Sequence, residues 1–190
     1  IKREMISTLL AVTSFVPKIS PTVVKSYPGV TKPVGFWDPW NLSKDVSEGR
    51  FKFYREAELK HGRVAMLASL GFPIAEQFHP LWGGNIDVPS YVAFQQTPLQ
   101  SFWPIVIAAI GAIELNSVKN YKNIFNKGEP WALGDTYVPG DLNFDPLGIK
   151  PSDEIELESV KNKEINNGRL AMGAIVVMVI QELFTGNKLF

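Results

Sequence analysis

A nine-residue motif occurs twice, and it holds most of the side chains able to do chemistry. Glu58-Leu59-Lys60-His61-Gly62-Arg63-Val64-Ala65-Met66 aligns with Glu164-Ile165-Asn166-Asn167-Gly168-Arg169-Leu170-Ala171-Met172 at a constant offset of 106 residues. Each copy offers a carboxylate, an arginine and, at His61 or Asn167, a neutral donor. Glu, His and Asn share one ability, the presentation of a lone pair. They do not share charge or acid strength. General acid–base catalysis requires one particular proton inventory, so this pattern does not suit it. It suits axial ligation of a metal already held in a macrocycle, where one further donor is enough.

The motif reads as helical. Successive helical residues turn about 100° and rise about 1.5 Å. Glu58 and His61 then share a face, as do Glu164 and Asn167. Arg63 is rotated by roughly 140° from Glu58 and is poorly placed to pair with it. If the two motif helices cross about a pseudo-twofold axis, Arg63 meets Glu164 and Arg169 meets Glu58. Gly62, Gly168, Ala65 and Ala171 would let the backbones approach. Gln181 follows Asn167 by about four turns and points the same way about 21 Å further along. Glu114 is one more carboxylate, next to an apolar run, Ile105 to Ile113.

Three helices position these groups, over about residues 51–78, 99–125 and 154–185. Loops rich in Pro, Gly, Asn and Asp separate them. The uninterrupted apolar runs are short of the 18 or so residues that mark a span by hydropathy alone. Lysine placement favours a membrane. Phe78 to Trp103 contains no Lys or Arg, whereas Lys25, Lys32 and Lys44 precede the first helix. Six lysines, Lys119, Lys122, Lys127, Lys150, Lys161 and Lys163, lie between the apolar run of the second helix and the second motif copy. Three spans place the basic segments on one side and the bare loop on the other. Trp82, Trp103 and Trp131 read as interfacial anchors.

Composition removes several classes. The 190 residues are 45% hydrophobic and 20% charged. Nineteen basic and nineteen acidic side chains cancel, which argues against nucleic acid. Without cysteine there is no disulfide, thiolate metal site or Cys nucleophile. Two histidines, His61 and His79, cannot build a three-histidine zinc site. Residues 1–20 read as a targeting segment or an N-terminal arm, and residues 21–190 as one domain.

The paired motifs, with Trp37-Asp38-Pro39 before the first and Phe144-Asp145-Pro146 before the second, resemble the light-harvesting chlorophyll-binding superfamily over about residues 34–186. The loop from His79 to Gln100 is most similar to its fucoxanthin chlorophyll a/c, red-lineage branch. The resemblance implies an all-α membrane protein with three transmembrane helices, the first and third crossed. It implies a multi-pass antenna of the plastid thylakoid membrane and no enzyme. By resemblance Glu58, His61, Glu114, Glu164, Asn167 and Gln181 ligate chlorophyll magnesium, with no other metal. Arg63 and Arg169 are the ion-pair partners, and the two Asp-Pro turns hold carotenoid ends. The implied cofactors are chlorophyll a, chlorophyll c, and fucoxanthin or a related xanthophyll. The implied partners are thylakoid lipids, a photosystem I or II core and neighbouring antenna subunits.

Two departures stand out. Green-plant members carry an arginine three residues after the central-helix glutamate, where this chain has Ser117; the expectation is that Lys119 or a neighbour held through a carbonyl replaces it, or that the site differs. The first turn also lacks the glycine of Pro146-Leu147-Gly148, so the two turns need not bind a carotenoid equally. The main alternative is a photoprotective, energy-quenching member, whose pH sensors would come from Glu76, Asp87 and Glu182. A soluble or haem-binding helical bundle is the remoter one.

Overall fold

Caps set where the two long helices begin. Ser47 Oγ accepts from the Arg50 amide at 3.1 Å, and Asp153 accepts from the Glu156 amide at 3.3 Å. Each cap satisfies a donor that has no intrahelical partner. The computed structural model describes residues 18–77, 87–93, 95–96, 99–119, 121 and 131–189. Within them the helices are α1 (Pro21–Ser26), α2 (Glu48–Gln77), α3 (Ser90–Ala93), α4 (Leu99–Val118) and α5 (Glu154–Thr185). Among the described residues strand pairing is confined to two isolated bridges, Lys18–Ser47 and Tyr121–Leu133. Most of the expected targeting segment, and also His79 and Trp82, lie outside the described residues.

The two motif helices, α2 and α5, cross and pack on each other. A Cβ on Gly62 would lie 3.0 Å from Gly168 Cα, and one on Gly168 would lie 3.0 Å from Gly62 Cα. Leu59 and Ile165 are buried beside this contact, with Ala65 and Ala171 on its other side. Every pair is 106 residues apart, so the contacts are reciprocal, as a pseudo-twofold relation requires. Beyond the crossing the apolar side chains face outward. Leu67 is 74% exposed, Leu170 74% and Phe184 88%.

The far ends of the crossed helices are tied by α3. The Ser90 and Tyr91 amides donate to Glu182 at 3.1 and 3.0 Å, and Ser90 Oγ donates to Glu76 at 3.1 Å. At the other end Gly49 packs on Leu133, whose amide donates to the Gly49 carbonyl at 3.0 Å. Trp131 packs there against Phe53 and Tyr121.

Two expectations change. α4 and α5 are long and apolar enough to cross a membrane, whereas α2 is not. Glu48, Arg50, Lys52, Arg55, Glu56, Glu58, Lys60 and Arg63 load its first half with charge. α4 also stops at Val118 rather than near residue 125: Lys119 is in a turn and Tyr121 bridges Leu133. Asn116, Ser117 and Val118 are weak helix formers. Residues 120 and 122–125 lie outside the described residues.

The crossing predicts a graded response to one methyl group. Gly62→Ala is overpacked against backbone and should cost about 1–3 kcal/mol. Gly71→Ala meets nothing within 4 Å and should be neutral, or stabilise by up to about 1 kcal/mol through helix propensity. Thermal loss of helical circular dichroism checks this; equal midpoints for the two variants would contradict the close approach.

Candidate functional site

Each arginine of the repeat meets the glutamate of the other copy. Arg63 Nε lies 2.7 Å from Glu164 Oε1, and Arg169 Nε lies 2.8 Å from Glu58 Oε1. The reciprocity has one asymmetry. Glu58 Oε2 also accepts from Arg55 Nη1 at 2.6 Å. The matching position on α5 is Lys161, a shorter-headed cation. Glu58 is therefore held at both oxygens, and each oxygen keeps its second lone pair.

The arginines also hold two loops. Arg63 Nη2 donates to the Gly140 carbonyl at 2.8 Å, and Arg169 Nη1 to the Gly29 carbonyl at 2.6 Å. The amides of these glycines are taken by the same helices: Gly140 N donates to Glu56 at 2.6 Å, and Gly29 N to Asn162 at 2.5 Å. Glu56 and Asn162 are themselves 106 apart. Gly29 and Gly140 have φ of 96° and 82°, a region that favours glycine. A Cβ would strike Ile165 in one case and Leu59 in the other. The loop that precedes α2 thus docks on α5, and the loop that precedes α5 docks on α2. Sequence reasoning missed this second repeat. Its signal is Pro28-Gly29 against Pro139-Gly140, at an offset of 111 rather than 106.

The Asp-Pro turns follow these loops and share one geometry. Asp38 accepts from the Leu42 and Ser43 amides at 2.9 and 2.8 Å; Asp145 accepts from the Ile149 and Lys150 amides at 3.0 and 2.9 Å. Asn41 and Gly148 occupy the matching left-handed position, at φ 53° and 61°. The missing glycine is therefore no difference in backbone shape, because asparagine tolerates this region. The Ser43 hydroxyl and amide hold the Asp38 carboxyl below its ordinary range, and the Lys150 and Ile149 amides do the same for Asp145.

Two grooves open beside the crossing, one behind each turn. The one behind Asp145, with Gly140, Phe144, Ile149, Leu157 and Glu164, has a volume of about 700 Å³. The one behind Asp38, with Gly29, Trp37, Leu42, Phe51 and Glu58, has about 230 Å³. Corresponding residues line both.

The remaining donors point away from the crossing. His61 is exposed, and its Nδ1 lies 2.7 Å from the Ala57 carbonyl. A carbonyl only accepts, so Nδ1 carries the proton and Nε2 keeps an outward lone pair. Asn167 and Gln181 are exposed on α5. Glu114 on α4 meets neither Ser117 nor Lys119 as its cation. Lys60 reaches over from α2, with Nζ 2.6 Å from Glu114 Oε2 and 2.9 Å from Ser117 Oγ. Lys119 instead donates to Asn116 at 3.2 Å. That corrects the expected substitute: Lys119 follows a weak helical end and turns aside, whereas Lys60 projects at the central helix.

Among the described residues no three His, Cys, Asp or Glu side chains gather into a metal site. The donors stand singly, flanked by uncovered apolar side chains such as Val64, Leu67 and Leu170. Such a donor holds only a metal whose remaining ligands arrive with it, inside a large apolar body. A magnesium chlorin meets both conditions.

Comparison with known proteins agrees. A family model described as "Chlorophyll A-B binding protein" matches residues 24–183. Light-harvesting complex stress-related protein 3.2, chloroplastic, of Chlamydomonas reinhardtii is 43% identical over 177 residues, 87% of this chain and 66% of the relative. Stress-related protein 1 of the same alga is 41% identical over 92% of this chain and 71% of the relative. The fucoxanthin-chlorophyll a-c binding protein, chloroplastic, of Isochrysis galbana is 38% identical over 95% of this chain and 91% of the relative. The chain thus spans just under two thirds of the first of these and most of the last.

The depressed carboxyls give a pH prediction. A carboxyl whose folded value lies below its unfolded one stabilises above the unfolded value, about 3.9 for Asp, and that stability is lost as pH falls through the folded value. The amides of residues 42, 43, 149 and 150 should stay protected from hydrogen exchange until the pH is below about 3.9. Ser43→Ala removes one donor from Asp38, so residues 42 and 43 should open at higher pH than in the parent, with 149 and 150 unchanged. Exchange corrected for its intrinsic pH dependence reads this out. Parallel loss in both turns would contradict separate locks.

Proposed function

The chain belongs to the chlorophyll A-B binding protein family, and from that premise we propose that it is a light-harvesting antenna of the plastid thylakoid membrane. In this reading α2, α4 and α5 all span the bilayer. α2 falls short on apolarity alone, and pairing offsets part of the deficit: Glu58 faces Arg169 of α5 and Arg55 one turn back, and Glu48 faces Lys52. A charge at the bilayer centre costs about 2.5–3.5 kcal/mol on insertion scales, which a paired and hydrogen-bonded acid largely avoids.

The bound pigments would absorb light and pass excitation toward a photosystem I or II core or a neighbouring antenna subunit. The chain's own residues fix the distances. Glu58, His61, Glu164, Asn167 and Gln181 would each give one donor to a chlorophyll magnesium from the crossed helices, and Glu114 one from α4. The arginines pair with the two glutamates and orient them. The grooves behind the Asp38 and Asp145 turns would each receive the end of a carotenoid. Chlorophyll c and fucoxanthin or a related xanthophyll are proposed from the name of the Isochrysis relative. The family is one of pigment-binding light-harvesting proteins, not of enzymes.

One observation supports this most: single donors stand on apolar faces that no described part of the chain covers. His61 is the clearest, with one ring nitrogen tied to backbone and the other aimed outward. A soluble bundle would have buried those faces in its own core.

A second reading, photoprotective quenching, is favoured by the stress-related relatives at 43% and 41% identity. At the far end of the crossed helices Glu182 is fully buried beside Glu76, both bound to Ser90, and Asp87 pairs with Lys188.

Refolding the full chain with chlorophylls a and c and xanthophyll in detergent tests the proposal. A coloured complex in which carotenoid excitation yields chlorophyll fluorescence is expected, and His61→Leu should lose about one chlorophyll per chain. A fluorescence lifetime that shortens on acidification would favour quenching. A folded, colourless protein would overturn both.

A further inference from the structure

Every proposed glutamate ligand has a cation supplied by a different helix. Glu58 takes Arg169 and Glu164 takes Arg63. Glu114 takes Lys60, at 2.6 Å. The third pair lies outside the internal repeat, and the repeat breaks at that residue. The counterpart of Lys60 is Asn166, which donates to Thr31 Oγ1 at 3.0 Å and carries no charge. Only one of the two motif helices meets α4 through this position, and that one carries the lysine.

The surroundings hold Lys60 in place. Ser117, buried at one turn below Glu114, accepts from Nζ at 2.9 Å. Glu56, on the preceding turn of α2, has an oxygen 3.9 Å from Nζ. That oxygen is buried and has no hydrogen bond among the described residues. The ammonium therefore sits between a buried carboxylate and an outward one. It ties α4 to α2 and pairs with Glu114, whose side chain remains half exposed.

We propose that Lys60 is the positioning residue of a chlorophyll site on the central helix: its ammonium pairs with Glu114 and aims it, so that a carboxylate can ligate magnesium where no intrahelical arginine is present. This rests on the reading of Glu114 as a ligand. If neutralisation is the role, a neutral ligand at residue 114 makes the lysine dispensable.

The test uses the full chain refolded with chlorophylls a and c and xanthophyll. A coloured parent complex bears on the antenna reading alone. Glu114→Leu and Lys60→Met should each lose about one chlorophyll per chain, with the same absorption difference spectrum. Glu114→His should keep that chlorophyll, and Glu114→His with Lys60→Met should keep it too. Full chlorophyll content in Lys60→Met would overturn the proposal while leaving a coloured parent intact. So would two different difference spectra, or loss of the pigment from the double variant when Glu114→His alone retains it. If Lys60→Met does not assemble, the double variant decides: assembly with full pigment supports the charge role, and failure overturns it.

Discussion

A carboxylate at a tight helix crossing needs a cation, and in this chain the cation comes from the other helix. Arg63 reaches Glu164 and Arg169 reaches Glu58 across one crossing. The rest of the architecture follows from that reach. A guanidinium spans the gap only if the axes nearly touch, hence two glycines whose Cβ positions would meet the opposite backbone at 3.0 Å. The buried side chains between the helices are few: Leu59, Ala65, Ile165 and Ala171.

The same arginines organise the polar ends. Each spends its remaining donors on the glycine carbonyl of a loop, while Glu56 or Asn162 takes the glycine amide. Each loop is thereby docked on the helix of the opposite half. The grooves inherit this symmetry in their lining and lose it in size, about 700 against about 230 Å³. Substitutions at matched positions account for the inequality: Leu157 and Val160 stand opposite the bulkier Phe51 and Tyr54. Similar backbones therefore offer unlike spaces, which bears on what each would accept.

The crossing was legible because its parts recur at one spacing. Glu58, Gly62 and Arg63 and their partners differ by 106 residues, and helical geometry dictates who can face whom. What escaped has a physical explanation in each case. The Pro28-Gly29 and Pro139-Gly140 loops repeat at another offset, since loops vary in length where helices do not. The likeness of the two turns was hidden because Asn41 does the work of Gly148, a matter of φ rather than residue name. Lys60 has no role in the sequence pattern, because its partner lies 54 positions away on α4 and nothing local points there. α4 ended early because Asn116, Ser117 and Val118 are weak helix formers and Lys119 turns away, where the apolar pattern gives no stop. The membrane character of α2 was read from lysine sorting, and its own hydropathy does not supply it.

The central claim is that each motif arginine stabilises the protein by neutralising the glutamate of the other copy. A double-mutant cycle on the refolded pigment complex measures this directly, with thermal midpoints for Arg63→Met, Glu164→Met and the pair. Each single variant strands a charge; the double strands none at this contact. The double should therefore fall short of the sum of the singles by about 1–3 kcal/mol. Additive losses would mean that the two side chains act independently, and would contradict the crossed ion pair as the element on which the structure depends.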